Sequence, residues 1–450
     1  MEQHDAVVVG AGFAGLSASR ALMNAGLDVV VLEAREVVGG RTDTYTDGVR
    51  HLELGGQWTG PGQDLVLELA ASYGVETFET PHDGADVSLG EAMGASPLDH
   101  LQQAVAILDS LAASVPPDAP WLAPEATRLD ETRFADWLDS EVTNDDERQA
   151  LRHVIEGLMT ASAEDMSLLT VLHAATTSGT LAAAMGIEGG AQELRLVDGL
   201  HGLALRMAGE LGPRVRLASP VSSLRQDAAG VQVRAASGDF SAAAAIVAVP
   251  PSGWSQIGFE PALPPPHMAL PAAMPMGSVI KLQMVFERPF WRDAGYSGLV
   301  IDHSAAFGFM VDNSTPTSSE GVLATFISAT DVVRWSDRTL GEAASELRRA
   351  ALLAHITRAF DCEIPDPIAF VDRDWTAQRW IGGGYSGAMR PGGWTLAGAA
   401  LREPVGRVHW ASAESATMWT GYVDGAIQSG RRAAGEVIEV LDAQVEGNRH

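Results

Sequence analysis

Cysteine is almost missing from this 450-residue chain: Cys362 is the only one. No intrachain disulfide can form and no cysteine-rich metal site can be built, so no metal ligand set is expected. Lysine is as scarce. Of the 30 basic residues, 29 are arginine and one, Lys281, is lysine. Two readings of that survivor stand open: chance retention on a strand, or a place where a compact, titratable ammonium is needed. Cations are few altogether, against 58 acidic residues and a net charge of −28. Nucleic acid and anionic lipid require clustered Lys and Arg, so neither is expected as a partner. Long apolar runs are missing too. Residues 166–187 carry His173 and several hydroxyl side chains, and 261–280 many prolines, so neither reads as a membrane span. The N-terminus enters a strand pattern at once, leaving no room for a signal peptide. Residues 444–450 are polar. Together these features predict a soluble, cytoplasmic protein.

What is present begins at the N-terminus. Ala6–Val9 is an uninterrupted apolar run, as in a strand buried on both faces. Gly10, Gly12 and Gly15 follow in G-x-G-x-x-G spacing, then a helical pattern that stops at Gly26. A second apolar run, Val29–Leu32, ends on Glu33. Gly10 permits a tight turn, Gly12 lets a pyrophosphate approach the backbone, and Gly15 lets helix and strand pack closely. The helix N-terminus offers amides to phosphate, and Glu33, about 20 residues on, stands where an acid meets a ribose hydroxyl. The stretch predicts a dinucleotide site.

The length suggests two or three domains. Helical spacing is expected over 63–70, 98–113, 134–138 and 145–159, and a helix over 203–211. A β-meander is predicted from 215 to 249, its last strand spanning 240–249. The proline-rich stretch 261–276 reads as a crossover. Strands at 278–286 and 321–327 and a helix at 340–359 follow. Near the end, 406–411 reads as a buried strand, and a helix starts near Gly421 with Thr420 as its N-cap.

Several segments carry a resemblance. Val38-Gly39-Gly40-Arg41 follows the acid, Leu54-Gly55-Gly56-Gln57-Trp58 comes next, and Met276-Gly277-Ser278-Val279-Ile280-Lys281 and Trp419-Thr420-Gly421-Tyr422 lie far downstream. With these motifs the chain resembles the flavin-containing amine oxidase family, of monoamine oxidase and putrescine oxidase type. The resemblance implies an α/β fold: a Rossmann-like FAD-binding domain with a second, substrate-binding domain of mixed sheet plus helices. The FAD-binding domain would take 1–78, 191–260 and 393–450. The substrate domain would take 79–190 as its helical part and 261–392 as its sheet part.

The cofactor-binding set so implied is Gly10, Gly12, Ala14, Gly15, Glu33, Arg35, Gly40, Arg41, Gly56, Gln57, Trp58, Val221, Glu414 and Val423. Glu33 would serve the adenosine ribose, Arg41 the phosphates, residues 56–58 the isoalloxazine, Val221 the adenine, and Glu414 the ribityl or phosphate portion. The family motif carries Gly where this chain has Ser412, which leaves the loop's path open. The implied catalytic set is Lys281 opposite flavin N5, Trp375 near the water that Lys281 holds, and Tyr385 and Tyr422 as an aromatic cage. Gly384 stands where some monoamine oxidases bond flavin to a cysteine, so noncovalent FAD is expected.

The implied reaction passes a hydride from the amine α carbon to flavin N5. It yields an imine, then an aldehyde or ketone plus ammonia, and dioxygen returns as hydrogen peroxide. Phe307, Phe309 and Met310 favour an apolar or aromatic monoamine, while Asp312 keeps a diamine open. An L-amino-acid oxidase, with Arg390 for the carboxylate, is the rival enzyme. A non-enzymatic flavoprotein is the rival of another class, and a homodimer is left open.

Overall fold

The computed structural model describes residues 1–89, 97–303 and 306–447. The end of the polar C-terminal tail, 448–450, lies outside the described residues. Ala6–Val9 is fully buried and forms the middle of a five-stranded parallel sheet. Val29–Leu32 pairs with it on one side and Ala244–Val247 on the other, and Val215–Arg216 and Val408–Trp410 complete the edges. Parallel strands cannot be joined by hairpins, so a helix crosses over between the first two. That helix is Phe13–Asn24, and Gly26 (φ +84°) follows its end. The C-terminal helix Val423–Gly447 lies along it. Gly430 makes the contact possible, because a Cβ there would stand 2.1 Å from Ala14 O. The architecture is mixed α/β with a Rossmann-type nucleotide-binding sheet.

The apolar pattern of 240–249 does not form the single strand that it predicts. Gly238–Ala242 pairs antiparallel with Val231–Ala235 in a second five-stranded sheet, whereas Ala244–Val247 joins the parallel one. The division follows burial. The first piece is half exposed and alternates, and the second is buried at all four residues. Ala243, between them, bonds Asp5 O at 3.1 Å and turns the chain from one sheet to the other. The proline-rich stretch 261–276 is not without regular structure. It includes a helix, Pro265–Ala273: Pro265 and Pro266 fall in the first turn, where a missing N–H costs nothing, and Pro271 lies inside it.

A six-stranded sheet runs in the order Ala369–Asp374, Val279–Phe286, Gly321–Ser328, Phe309–Asp312, Tyr296–Asp302 and Ala85–Leu89. Val279–Phe286 is buried at all eight positions. Ile280, Leu282, Met284 and Phe286 share one core with Leu352 and Ile356 of the helix Ala344–Ala359. A strand alternates its faces, so Val279, Lys281, Gln283 and Val285 point the other way, toward the glycine-rich segments of the parallel half.

Helices Pro97–Ala112, Asp145–Met159 and Leu168–Ser178 form a group in which the first packs on the other two. Asn144 caps the second, its side chain accepting from the amides of Asp146 and Glu147. Thr420 is not the cap that the sequence predicts. The last helix begins at Val423, Ala426 N bonds Tyr422 O at 3.0 Å, and Thr420 Oγ1 turns back to Ala416 O. Among the described residues no helix is long and apolar enough to cross a membrane.

Candidate active site

At the C-terminal end of the parallel strands the glycines form a cradle. Gly10 takes φ +103°, and a Cβ there would meet Ala248 O at 2.9 Å. A Cβ on Gly15 would lie 1.9 Å from Gly10 O, so only glycine lets the helix sit on the turn. Gly12 precedes the first helical residue without any side-chain cap, leaving the helix amides for a ligand. Gly40 faces Gly12, where a Cβ would come within 3.2 Å of its Cα. Glu33 is buried at the end of its strand. Its Oε2 accepts from Ala11 N at 2.7 Å and its Oε1 from Arg35 N at 2.9 Å. Burial pushes its carboxyl above the ordinary range, against the pull of those amides and Arg35.

Arg41 clasps Glu414 with both guanidinium nitrogens, at 2.5 and 3.1 Å, and also donates to Tyr385 O at 2.9 Å. Glu414 is 1% exposed. Burial alone would raise its carboxyl, but Arg41 and the Gly387 amide hold it below the usual value. The pair bridges the cradle and the loop of Tyr385. Thr160 supports that loop from another helix: its Oγ1 accepts from Tyr385 N at 2.9 Å and donates to Gly384 O at 2.6 Å. Ser412, at the expected glycine, takes φ −168°, extended backbone open to any residue, so the loop before Glu414 needs no glycine.

Lys281 is 2% exposed. Its Nζ donates to Gly55 O at 3.0 Å and to Gln57 Oε1, and it lies 5.6 Å from the ring centroids of both Trp58 and Phe326. Burial lowers its pKa from 10.5 to about 7, with Glu53 opposing that shift and Arg195 adding to it. Trp375 is buried beside it and donates from Nε1 to Leu54 O at 2.8 Å. Tyr385 meets Phe326 edge-on at 5.7 Å, and Tyr422 meets Trp419 edge-on at 5.2 Å. Tyr422 donates its hydroxyl to Ala184 O at 3.2 Å. Burial raises both phenols, and for Tyr385 the nearby Tyr422 adds to it, so both stay protonated at neutral pH.

One cavity of about 1030 Å³ joins these parts. Gly10, Gly12, Ala14, Glu33, Gly40, Arg41, Gly56, Gln57, Trp58, Val221, Val423, Lys281, Trp375, Tyr385 and Tyr422 all line it. Gly15, Arg35 and Glu414 do not. Gly15 is spent on the turn, Arg35 donates to Gly40 O at 2.8 Å, and Glu414 stands behind Arg41. The cavity fits a flavin dinucleotide: a glycine cradle and free helix end at the phosphate position, a carboxylate at the ribose position, and open space over Gly56. A Cβ on Gly56 would meet nothing closer than Thr42 Cγ2 at 4.0 Å, so any side chain there would occupy the cavity.

Two candidates from the sequence are displaced. Asp312 is fully buried and bonded to Trp291 Nε1 at 2.8 Å and Arg292 Nε at 2.7 Å, so it does not reach the cavity. Arg390 is exposed and does not line it either. Residues that sequence reasoning passed over include Thr160, Phe326, Gln283 and Asn313. Gln283 carried a signal, being a polar residue two positions beyond Lys281 in an otherwise apolar strand, hence on its face. Thr160 carried none.

Comparison with known proteins gives consistent matches. A family model described as flavin containing amine oxidoreductase matches residues 13–438. A putative flavin-containing monoamine oxidase, AofH, of Mycobacterium tuberculosis is 36% identical over 448 residues, covering 97% of each chain. An L-amino acid dehydrogenase of Synechocystis is 33% identical, covering 97% of this chain and 95% of that one. The solved structure of a putrescine oxidase bound to putrescine superposes with a TM-score of 0.90 at 31% identity, covering 97% of this chain and 99% of that one.

Proposed function

The chain belongs to the family of flavin containing amine oxidoreductases, and from that premise we propose that it is an oxidase of apolar or aromatic monoamines with noncovalently held FAD. The observation that carries this reading is the single cavity, with the nucleotide cradle at one part and Lys281, Tyr385 and Tyr422 at another. Segments 1–78, 191–260 and 393–450 supply the strands of the parallel sheet, which supports their reading as one FAD-binding domain. Segments 79–190 and 261–392 would hold the substrate.

Bound flavin supplies a two-electron acceptor for the amine Cα–H, releasing an imine that hydrolyses to carbonyl and ammonia while dioxygen becomes hydrogen peroxide. The chain's own residues do the rest. Gly12 and the helix start at Phe13 receive the pyrophosphate, Glu33 the ribose, and Val221 the adenine. Glu414 fixes Arg41, which reaches the Tyr385 loop, so cofactor and cage are positioned together. The rings of Tyr385 and Tyr422 flank the amine. Their phenols stay protonated, so they take no proton from it, and the amine arrives neutral from solvent. Lys281 stands beside the Gly55–Trp58 segment, bonded to Gly55 O and Gln57 Oε1, and keeps one position of its amine for the reacting face.

Support for an apolar substrate comes from Leu158, Leu299, Ile301, Phe309 and Phe326 along the cavity. No arginine other than Arg41 lines it among the described residues, and Arg41 is engaged by Glu414, which disfavours a substrate carboxylate. The only thiol, Cys362, is not a lining residue, which supports noncovalent flavin. The test is an anaerobic screen of amines and amino acids that follows bleaching of the flavin absorbance. Apolar monoamines should bleach it fastest. Bleaching by amino acids alone, or by nothing, refutes the assignment. Acid precipitation should release the flavin into the supernatant.

A further inference from the structure

Behind Lys281 lies a run of three side-chain amides, of which only Gln57 has a role so far, toward the cofactor. Gln57, Gln283 and Asn313 are each at most 2% exposed. Lys281 Nζ donates to Gln57 Oε1. Gln57 Nε2 donates to Asn313 Oδ1 at 2.5 Å, and Asn313 Nδ2 to Gln283 Oε1 at 2.9 Å. Gln283 Nε2 donates to the backbone carbonyl of Glu53 at 2.8 Å. An amide can be turned end for end, so such a run has two formal directions. The last acceptor selects one. A backbone carbonyl only accepts, so Gln283 must show it the NH2 group and keep its oxygen for Asn313. The same reasoning passes through Asn313 to Gln57 and leaves the Gln57 oxygen facing Lys281. Reversing either amide would set like groups against each other in a buried site. The far end is pinned. Arg195 donates to Asn313 O at 2.9 Å and to Glu53 Oε2 at 3.1 Å, and Leu200 N donates to Glu53 Oε1 at 3.0 Å.

We infer that Gln57, Asn313 and Gln283 form a directed amide relay that positions the Lys281 amine and raises its proton affinity by holding a carbonyl oxygen against it. The three amides are positioning residues. Other groups around the amine act in both directions: burial and Arg195 disfavour the ammonium, and Glu53 favours it. Arg373, opposite Lys281 on the adjoining strand, is paired with Asp43 at 3.3 Å. Trp58, Phe326 and Trp375 contribute no ionisable group. With two positions on Nζ taken by Gly55 O and Gln57 Oε1, one remains for the cavity: an N–H when the amine is charged, a lone pair when it is neutral. The consequence for turnover rests on the oxidase reading above, and the effect on the amine does not.

Lys281 is the only lysine, so flavin-loaded protein labelled with 13Cε-lysine gives one ε-methylene resonance, whose titration reads this amine alone. Asn313→Leu removes the acceptor that orients Gln57. Its titration midpoint is expected to fall by about one pH unit, the scale of a hydrogen bond to a charged group. Asn313→Asp still accepts from Gln57 and should hold the midpoint at or above that of the unmodified protein. An unchanged midpoint in Asn313→Leu, or a fall in Asn313→Asp equal to that of the leucine variant, overturns the relay. Should Asn313→Leu not fold, Gln57→Leu takes its place with the same expected fall, and an unchanged midpoint overturns the proposal. In the oxidase reading, the pH profile of kcat moves with the resonance. If the midpoints move as stated and no amine is oxidised, the relay stands and the functional assignment falls.

Discussion

Lys281→Met offers a measurement in which burial, charge and pH can be separated. The folded protein lowers the lysine pKa from 10.5 to about 7, first through burial, against Glu53 and with Arg195. Between those values the unfolded chain binds a proton that the folded chain does not. Stability must therefore rise with pH across that window, because the unfolded state holds more protons there. Methionine has nearly the same length and no such slope. One pH unit corresponds to ~1.4 kcal/mol, and the folded amine is still half protonated at pH 7, so from pH 7 to pH 9 the stability of the unmodified protein relative to the variant should grow by about 2 kcal/mol. Below pH 7 the difference should level off.

The absolute difference at pH 7 is less informative. Methionine removes a buried ammonium but leaves Gly55 O and Gln57 Oε1 without their donor. Urea unfolding followed by tryptophan fluorescence, on flavin-loaded samples at half-unit pH steps, reads the slope. A difference that stays flat from pH 7 to 9 refutes the burial argument. The same variant should keep its yellow colour and lose most of its turnover. Turnover like that of the unmodified enzyme would remove Lys281 from the proposed mechanism.

Gly15→Val would drive its Cβ into Gly10 O, 1.9 Å away, costing about 3 kcal/mol or more, and purified protein should lack flavin absorbance. Arg41→Met leaves the buried Glu414 carboxylate alone, at a cost of about 3 kcal/mol, the low end for a broken buried pair because Arg41 is itself 23% exposed. Since Glu414 is held below its ordinary 4.5, its stabilisation is present above that pH and lost as pH falls further. In Arg41→Met burial alone acts on Glu414 and raises its carboxyl, so the loss of Tm relative to the unmodified protein should shrink as pH falls, and Arg41→Met with Glu414→Gln should recover part of the loss at neutral pH. Tyr422→Phe gives up the bond to Ala184 O, about 1 kcal/mol of stability, yet keeps the ring, so kcat/KM should change little. Tyr422→Leu removes the ring and should lower kcat/KM by about tenfold or more, as steady-state peroxide release will show.

Local chemistry made the nucleotide half legible. Gly10 is demanded by its φ of +103° and Gly15 by a Cβ position 1.9 Å from Gly10 O, so their spacing carries the geometry of the turn. The strand around Lys281 was legible for a similar reason. Its alternation puts Ile280, Leu282, Met284 and Phe286 against a helix and Lys281 with Gln283 on the opposite face. Elsewhere the pattern was silent or misleading. A continuous apolar run at 240–249 belongs to two sheets, because period and hydrophobicity do not say which partner strand covers each piece. Asp312 stood near enough in sequence to a pocket to suggest a second ammonium site, and Trp291 and Arg292 claim it instead.

What the sequence determined by itself is the set of backbone shapes and residue types: a phosphate cradle, an acid after the second strand, one lysine, and two tyrosines in glycine-rich turns. What only the tertiary structure decided is adjacency. Gln57 bonds to Asn313, 256 residues away, and Asn313 to Gln283, 30 residues away. The polarity of their relay depends on a backbone carbonyl, Glu53 O, that no side-chain pattern encodes. Hydrogen-bond direction in a buried site is fixed by whichever partner cannot reverse, and that partner is known only once the chain has folded around it.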